Sequence, residues 1–281
     1  INQSSGSATL HSERIGQLAS ACGGCMAATD AVQFRAAVQN AAASGYNRII
    51  VAGGDGTISL AANLLAANFP NVELALLPLG TGNDFARSLG IPVNDVERAF
   101  RQAAEGPARA VDLGEARWTC DDGESQTLFI NMANGALAGL VAHDVVDDDK
   151  QRWGAFAYWM TALGRLVDAR EYPVTVEIDQ TQLKMQAYGV LVANGRYVGG
   201  GFPAAPHAVL DDGLFDVVLI PVLPALDLVG AGLDFWFANQ QVDDRIRITR
   251  TRSLRLSGPE PIPFSIDGET VSAREIEFQV R

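Results

Sequence analysis

An unbroken apolar run that meets a glycine-rich loop and then a helical pattern occurs twice, and this repeat constrains the fold most. Arg48-Ile-Ile-Val-Ala52 runs into Gly53-Gly-Asp-Gly-Thr57, and Thr57 to Ala67 is apolar nearly all round. Val72 to Leu77 then enters Leu77-Pro-Leu-Gly80-Thr-Gly82-Asn-Asp84-Phe85-Ala86, with a helical pattern over Asn83 to Leu89. A strand lacking polar alternation is one covered on both faces, as in a parallel sheet. The β-α-β-α order predicts a parallel α/β layer. Upstream, Asp30 to Ser44 places Phe34, Val38, Ala41 and Ala42 on one helical face, with Asp30 and Gln33 spaced as a capping box and Gly45 as a stop. Asp95 to Ala104 reads as a further helix.

The period changes near residue 110. Val174, Val176 and Ile178 alternate with polar residues, as do Ile246 and Ile248, Leu254 and Leu256, and Ile276, Phe278 and Val280. Leu183 to Ala193 and Leu214 to Ile220 are also strand-like. Period-2 runs with short breaks predict an antiparallel sandwich or barrel. Two helical stripes interrupt it, one on Trp153, Phe156, Ala157, Met160, Leu163 and Val167, the other on Leu226, Val229, Leu233 and Phe237. The expected organisation is an α/β domain over 1–110 and a β-rich domain over 111–281, mainly an antiparallel β-sandwich. Asp147-Asp148-Asp149 reads as a solvated loop before the first stripe.

A length of 281 residues suits two domains, and 48% hydrophobic with 19% charged residues is a globular composition. Lys and Arg number 21 against 33 Asp and Glu, a net charge of −12. That balance excludes the basic surplus a nucleic-acid binder uses against phosphates, and constitutive docking on anionic lipid by charge alone. No apolar run reaches the roughly 18 residues of a membrane span, and no basic start with an apolar stretch marks a signal peptide. The chain opens on Ile1 rather than Met, which suggests trimming. Cys22, Cys25 and Cys120 are too few for a disulfide framework, so a reducing, cytoplasmic setting is expected. Cys22-Gly-Gly-Cys25 has no second pair to complete a zinc site, and His11, His143 and His207 show no ligand spacing.

Glycines in such loops permit positive φ and let a ligand approach the backbone without a Cβ in the way. Free N–H groups at a helix start favour phosphate. No Gly-Lys-Ser/Thr follows, so this is not a Walker A loop, and Ser59 stands where a dinucleotide fingerprint has its third glycine. One such loop could be a plain tight turn. Two at the carboxyl ends of neighbouring strands make a phosphate or nucleotide site the leading reading. Asp55 lies inside the first loop, within reach of a metal or a transferred phosphoryl group. Asp212-Gly213 and Asp267-Gly268 read on their own as hairpin turns, and Asp84 as a helix cap.

These loops together resemble the catalytic domain shared by diacylglycerol kinases, bacterial lipid kinases and sphingosine kinases. Asn2-Gln-Ser-Ser-Gly6 resembles the family's first loop. Asn194-Gly-Arg-Tyr-Val-Gly-Gly-Gly201, continued by Pro206-His-Ala-Val-Leu-Asp-Asp-Gly-Leu214, resembles its second-domain signature, and Ile266-Asp-Gly-Glu269 its late Asp-Gly-Glu motif. The likeness runs over almost the whole chain in the family's order. It implies ATP bound in the cleft between two domains, Mg²⁺, and transfer of the γ-phosphoryl group to a hydroxyl of a lipid such as diacylglycerol. Carried over by position, Gly53, Gly54, Asp55, Gly56, Thr57, Ile58, Ser59, Leu60, Gly80 and Thr81 would bind the nucleotide. Glu269 would accept the hydroxyl proton, with Asp55 as the other catalytic carboxylate. Val209, Asp212 and Leu214 would hold a structural Mg²⁺.

This chain departs from the family where Ser59 and Leu60 replace a common Asn-Glu, and where almost no strand precedes the first loop. Expected partners are ATP and a lipid at the membrane surface, reached by transient association, with a homodimer left open and no nucleic acid. Trp153 and Trp159 could wet one edge at a lipid entrance. Two other functions compete. NAD kinases share Gly-Gly-Asp-Gly but carry a different second segment, and a nucleotide-binding regulator without catalysis would not need both Asp55 and Glu269.

Overall fold

The computed structural model describes residues 1–2, 8–20, 24–120, 123–136, 170–236 and 246–281. The chain divides into two compact units, Ile1–Ala110 and Val111–Arg281. The first is built on two parallel strands, β1 (Arg48–Gly53) and β2 (Glu73–Pro78), in register from Arg48 opposite Glu73 to Gly53 opposite Pro78. Helix α3 (Asp55–Asn68) makes the crossover between them and buries Ile58, Ala61 and Leu65. Asn2 extends the layer, its N–H donating to Ala52 O at 2.9 Å, while Ala28 N–H donates to Ile1 O at 2.9 Å. The remaining helices of the unit are α1 (Ala8–Ala19), α2 (Ala31–Ala43), the single turn α4 (Asp84–Ser88) and α5 (Val96–Glu105). One apolar cluster joins Ile15 and Ala19 of α1 to Ala52, Leu77, Leu79, Ala99 and Phe100. Arg48 ties both strands to α5: Nε donates to Glu73 at 2.6 Å and Nη1 donates to the Ala103 and Ala104 carbonyls at the helix C-terminus.

In the second unit every described strand pair is antiparallel. Its strands are β3 (Gly114–Cys120), β4 (Gly123–Phe129), β5 (Met132–Gly135), β6 (Tyr172–Ile178), β7 (Thr181–Ala193), β8 (Phe215–Pro221), β9 (Arg247–Thr251), β10 (Ser253–Ile266) and β11 (Glu269–Val280). They form one nine-stranded sheet in the order β4-β3-β11-β10-β5-β7-β8-β9. β6 also fits between β10 and β7, pairing with their earlier halves while β5 pairs with the later ones. β4 and β8 are far apart in that order, yet Phe129 stacks on Phe215 at 5.6 Å and meets Phe278 edge-on at 6.1 Å. The sheet therefore folds over so that one face packs on itself, the sandwich that the alternating pattern implies. Phe129, Phe215, Phe264, Phe278, Leu256 and Ile276 fill that core.

Two local expectations change. Asp30 caps α2 by accepting from Gln33 N–H, but the Gln33 side chain accepts from Thr29 and not from Asp30, so the reciprocal half of the box is displaced by one residue. Helix α6 (Ala225–Trp236) buries Leu228 and Ala231, while Leu226 is 86% exposed. Leu226 and Leu233 fall on one face of the helix and Leu228 and Ala231 on the opposite one, so spacing alone could not select the buried face. The Trp153–Val167 stripe with Trp159, Asp147–Asp149, His143, Cys22, Phe237 and residues 3–7 of the first loop lie outside the described residues.

Candidate functional site

Parallel pairing brings the ends of β1 and β2 side by side, so the two glycine loops emerge together. Gly53 O accepts from Leu79 N–H at 2.9 Å. A Cβ on Gly80 would lie 2.5 Å from Gly54 Cα, and one on Gly54 would lie 3.1 Å from Gly80 Cα. The loops thus touch backbone to backbone: that contact requires glycine at 80, and a side chain at 54 would push the neighbouring loop away by a few tenths of an ångström. Gly53 has its own reason, since a Cβ there would meet the Thr57 side chain at 2.7 Å. The positive φ expected of these glycines is absent. Gly54 has φ −91°, and Gly53, Gly56 and Gly80 are not among the positive-φ residues. The left-handed residue of the second loop is Asn83, at φ 54°. Its side chain closes the loop by accepting from Gly80 N–H at 2.9 Å and donating to Gly80 O at 2.7 Å.

Asp55 bridges the loops: its Oδ1 accepts from Phe85 N–H at 3.1 Å in the first turn of α4. Asn83, the N-cap of α4, makes no side-chain cap of its own, so the carboxylate of one loop caps the helix of the other. Asp55 Oδ2 has no partner among the described residues. Asn2 donates to Thr57 Oγ1 at 2.8 Å and anchors the start of α3. Thr57, Ile58 and Ser59 are buried and Leu60 is half-buried, so their side chains serve the fold, whereas Gly56 and Thr81 are exposed. Nothing lies within 4 Å of a Cβ built on Gly56. A cavity of about 620 Å³ lies against Gly80, Thr81 and Asn83, with His11, Arg14 and Arg87 on its wall. Such a volume is ordinary for a ligand pocket. Arg14 is paired with Glu97, but Arg87 uses only Nε, donating to Gly82 O at 3.1 Å, and its other N–H groups have no described partner. Sequence reasoning passed over Arg87 because nothing in its spacing separates it from a surface arginine.

The other expected residues belong to the second unit. Glu269 is exposed at the first position of β11, opposite Ile266, and its side chain makes no hydrogen bond or ion pair with a described residue. Asp212 is engaged on both oxygens: Oδ1 accepts from Leu214 N–H at 3.0 Å, and Oδ2 is ion-paired with the Arg250 guanidinium. The Val209–Asp212–Leu214 set therefore does not fit the Mg²⁺ that the resemblance implies. Arg250 supplies the positive charge beside its one carboxylate, and a metal would have to displace it. Arg250 also reaches the buried Asp216 at 3.5 Å, where burial pushes the carboxyl pKa up and the guanidinium pulls it back. Asp112, which the sequence reading missed, accepts from Gly213 N–H at 2.6 Å and so holds this same segment. A lone aspartate ahead of a strand carries no signal of that contact. Among the described residues no cluster of His, Cys, Asp and Glu suits a metal, and Cys25 and Cys120 are free thiols.

A family model described as the diacylglycerol kinase catalytic domain matches residues 1–116, and one described as the YegS C-terminal NAD kinase beta sandwich-like domain matches residues 132–281. A probable lipid kinase YegS-like protein of Pseudomonas aeruginosa is 32% identical over 246 residues, covering 88% of this chain and 78% of its own. Its counterpart in Pseudomonas savastanoi pv. phaseolicola is 31% identical over 252 residues, covering 90% and 79%. The crystal structure of a putative diacylglycerol kinase from Bacillus anthracis str. Sterne superposes with a TM-score of 0.79 at 25% identity, covering all of this chain and 90% of that one.

Proposed function

The chain belongs to the family of YegS-like lipid kinases with a diacylglycerol kinase catalytic domain, and from that membership we propose that it transfers the γ-phosphoryl group of ATP to a hydroxyl of a lipid, diacylglycerol or a close relative. The observation that carries this reading is the contact between the two glycine loops, with Asp55 bonded across it and a cavity alongside. Such loops offer backbone N–H donors to phosphate, and phosphoryl transfer asks mainly for positioning and charge neutralisation. Gly54, Gly56, Gly80 and Thr81 hold the nucleotide's phosphates, with Arg87 as a nearby cation. The uncommitted Asp55 Oδ2 would hold the Mg²⁺ that accompanies ATP, whose chemistry is to neutralise phosphate charge.

In the transfer, the lipid oxygen forms a bond to the γ-phosphorus while the bond from that phosphorus to the β-phosphate oxygen breaks, releasing ADP. Glu269 takes the hydroxyl proton. A lipid acceptor places the reaction at a membrane surface, reached by a protein in which no described helix is long and apolar enough to cross one.

Incubation of the purified chain with γ-labelled ATP, Mg²⁺ and micelles of diacylglycerol, monoacylglycerol or sphingosine, with NAD as a parallel acceptor, tests the proposal. Label in a lipid product is expected. Label in NAD alone, or in nothing, would overturn it.

A further inference from the structure

Among the described residues no side chain holds Glu269, and the hairpin backbone that carries it sets where it stands. That hairpin turns on Asp267 and Gly268, at φ 46° and 94°. Two positive φ values in a two-residue loop ask only for Asn, Asp or Gly. Asp267 does far more than turn the chain. Its Oδ2 accepts from Ile130 N–H at 2.8 Å, and its Oδ1 accepts from Asn131 N–H at 3.1 Å and Met132 N–H at 3.0 Å. Its own N–H donates to Met132 O at 3.0 Å.

The segment so clamped is itself held. Asn131 O accepts from Asn194 N–H at 2.9 Å and Gly195 N–H at 2.8 Å. The Asn194 side chain, fully buried, donates to Ile130 O at 2.7 Å and to Asp112 O at 2.9 Å. Asp112 in turn holds Gly213. A single hydrogen-bond network therefore joins stretches scattered through the second unit and ends two residues before Glu269.

We infer that Asp267 is a positioning residue: its carboxylate, bound by three successive backbone N–H groups, fixes the hairpin that carries Glu269, the proton acceptor of the proposed transfer. The inference rests on the kinase reading above. A carboxylate is suited to this because it can only accept, whereas an amide would turn an NH₂ toward at least one of the three donors. Ile130 and Met132 are buried, so donors released by its loss have no water to turn to. A misplacement of about 1 Å at a reacting group can cost about 10²-fold in rate.

The test uses Asp267→Asn, which keeps the left-handed backbone and the volume but removes the full acceptor. Hydrogen exchange on the whole protein is read first. The amides of Ile130, Asn131 and Met132 should exchange faster in the variant, and unchanged protection there would overturn the clamp. Turnover on the labelled lipid is read next. Asp267→Asn should lower kcat by about 10²-fold with ATP affinity by calorimetry unchanged. Added to Glu269→Gln it should slow the enzyme further by no more than about twofold, because it acts through the residue already lost. Multiplicative losses would make Asp267 a general structural residue and overturn the positioning role. If Asp267→Asn does not fold, Asp267→Gly, which accepts the same φ without strain, replaces it in both readouts. A wild-type chain that phosphorylates no lipid counts against the kinase reading, and the exchange experiment still decides the clamp.

Discussion

Gly80 and Gly56 both belong to the two glycine loops, yet their environments predict opposite outcomes. A methyl on Gly80 meets the Gly54 backbone at 2.5 Å, with no flexible side chain to yield. Gly80→Ala should cost about 1–3 kcal/mol, the usual range for overpacking, and weaken ATP by pushing the loops apart. Gly56→Val enters open space, so its melting temperature should stay close to wild type while ATP binding is lost. Denaturant melts and calorimetry on the pair separate loop packing from ligand access, and an unchanged ATP affinity in folded Gly56→Val would remove the phosphate loop. Asp55 divides in the same manner. Asp55→Asn keeps an acceptor for Phe85 N–H and should fold normally while losing transfer activity and its Mg²⁺ dependence. Asp55→Ala also loses the cap on α4, worth about 1 kcal/mol. Equal stability of the two variants would show that the bridge between the loops contributes nothing.

Among the larger pieces, the segment from Val209 to Leu214 is where charge can come from two sources. Arg250 on β9 pairs with Asp212, and Asp112 holds Gly213 from the other side. The Tm of the wild-type protein should be the same in Mg²⁺ and in chelator, because a ligand stabilises only a site it can enter. Arg250→Ala leaves Asp212 and the buried Asp216 without their cation and should lower Tm, with Mg²⁺ now restoring part of the loss. A wild-type Tm that falls on chelation would mean that metal displaces Arg250 in solution. The strands and helices themselves were readable where burial is one-sided. β6 alternates, as do β10 and β11 on either side of an irregularity between Ser257 and Ile262, while β1 is readable as an unbroken apolar run. β4, Gly-Glu-Ser-Gln-Thr-Leu-Phe, was not readable, because it is mostly polar and, among the described strands, pairs only with β3 at the end of the sheet order. α1 escaped notice for a related reason: of its described side chains only Ile15 and Ala19 are buried, too few to set a period.

At the scale of the whole molecule, the start of β3 pairs with the end of β11, Gly114 opposite Val280. Glu115, buried on β3, accepts from Arg281 through both oxygens, at 2.9 and 3.0 Å, and pairs with Arg117 at 2.7 Å. Burial pushes the Glu115 pKa up, but the two guanidinium groups override it and hold the carboxyl below its ordinary range. A depressed folded pKa means that the folded state binds the proton later than the unfolded chain. The stabilisation is therefore complete above the usual carboxylate range and lost as pH falls through the folded value. Tm measured against pH should show wild type exceeding Glu115→Gln at neutral pH, with the gap closing on acidification, and a constant gap would refute the assignment. The architecture follows from local pattern, since an unbroken apolar run, a period-2 run and a glycine loop are each imposed by how one element buries its own surface. The two glycine loops that touch were legible on the same ground, and motif and resemblance singled out Asp55 and Glu269 for the proposed site. Asp267 on Ile130, Asn194 on Asp112 and Arg250 on Asp212 were not, because hydrogen bonds and ion pairs spanning 137, 82 and 38 residues are specified only once the strands have paired. The same Asp-Gly letters that spell a turn locally become a three-donor clamp only when the folded sheet brings the buried Ile130–Met132 amides against that turn.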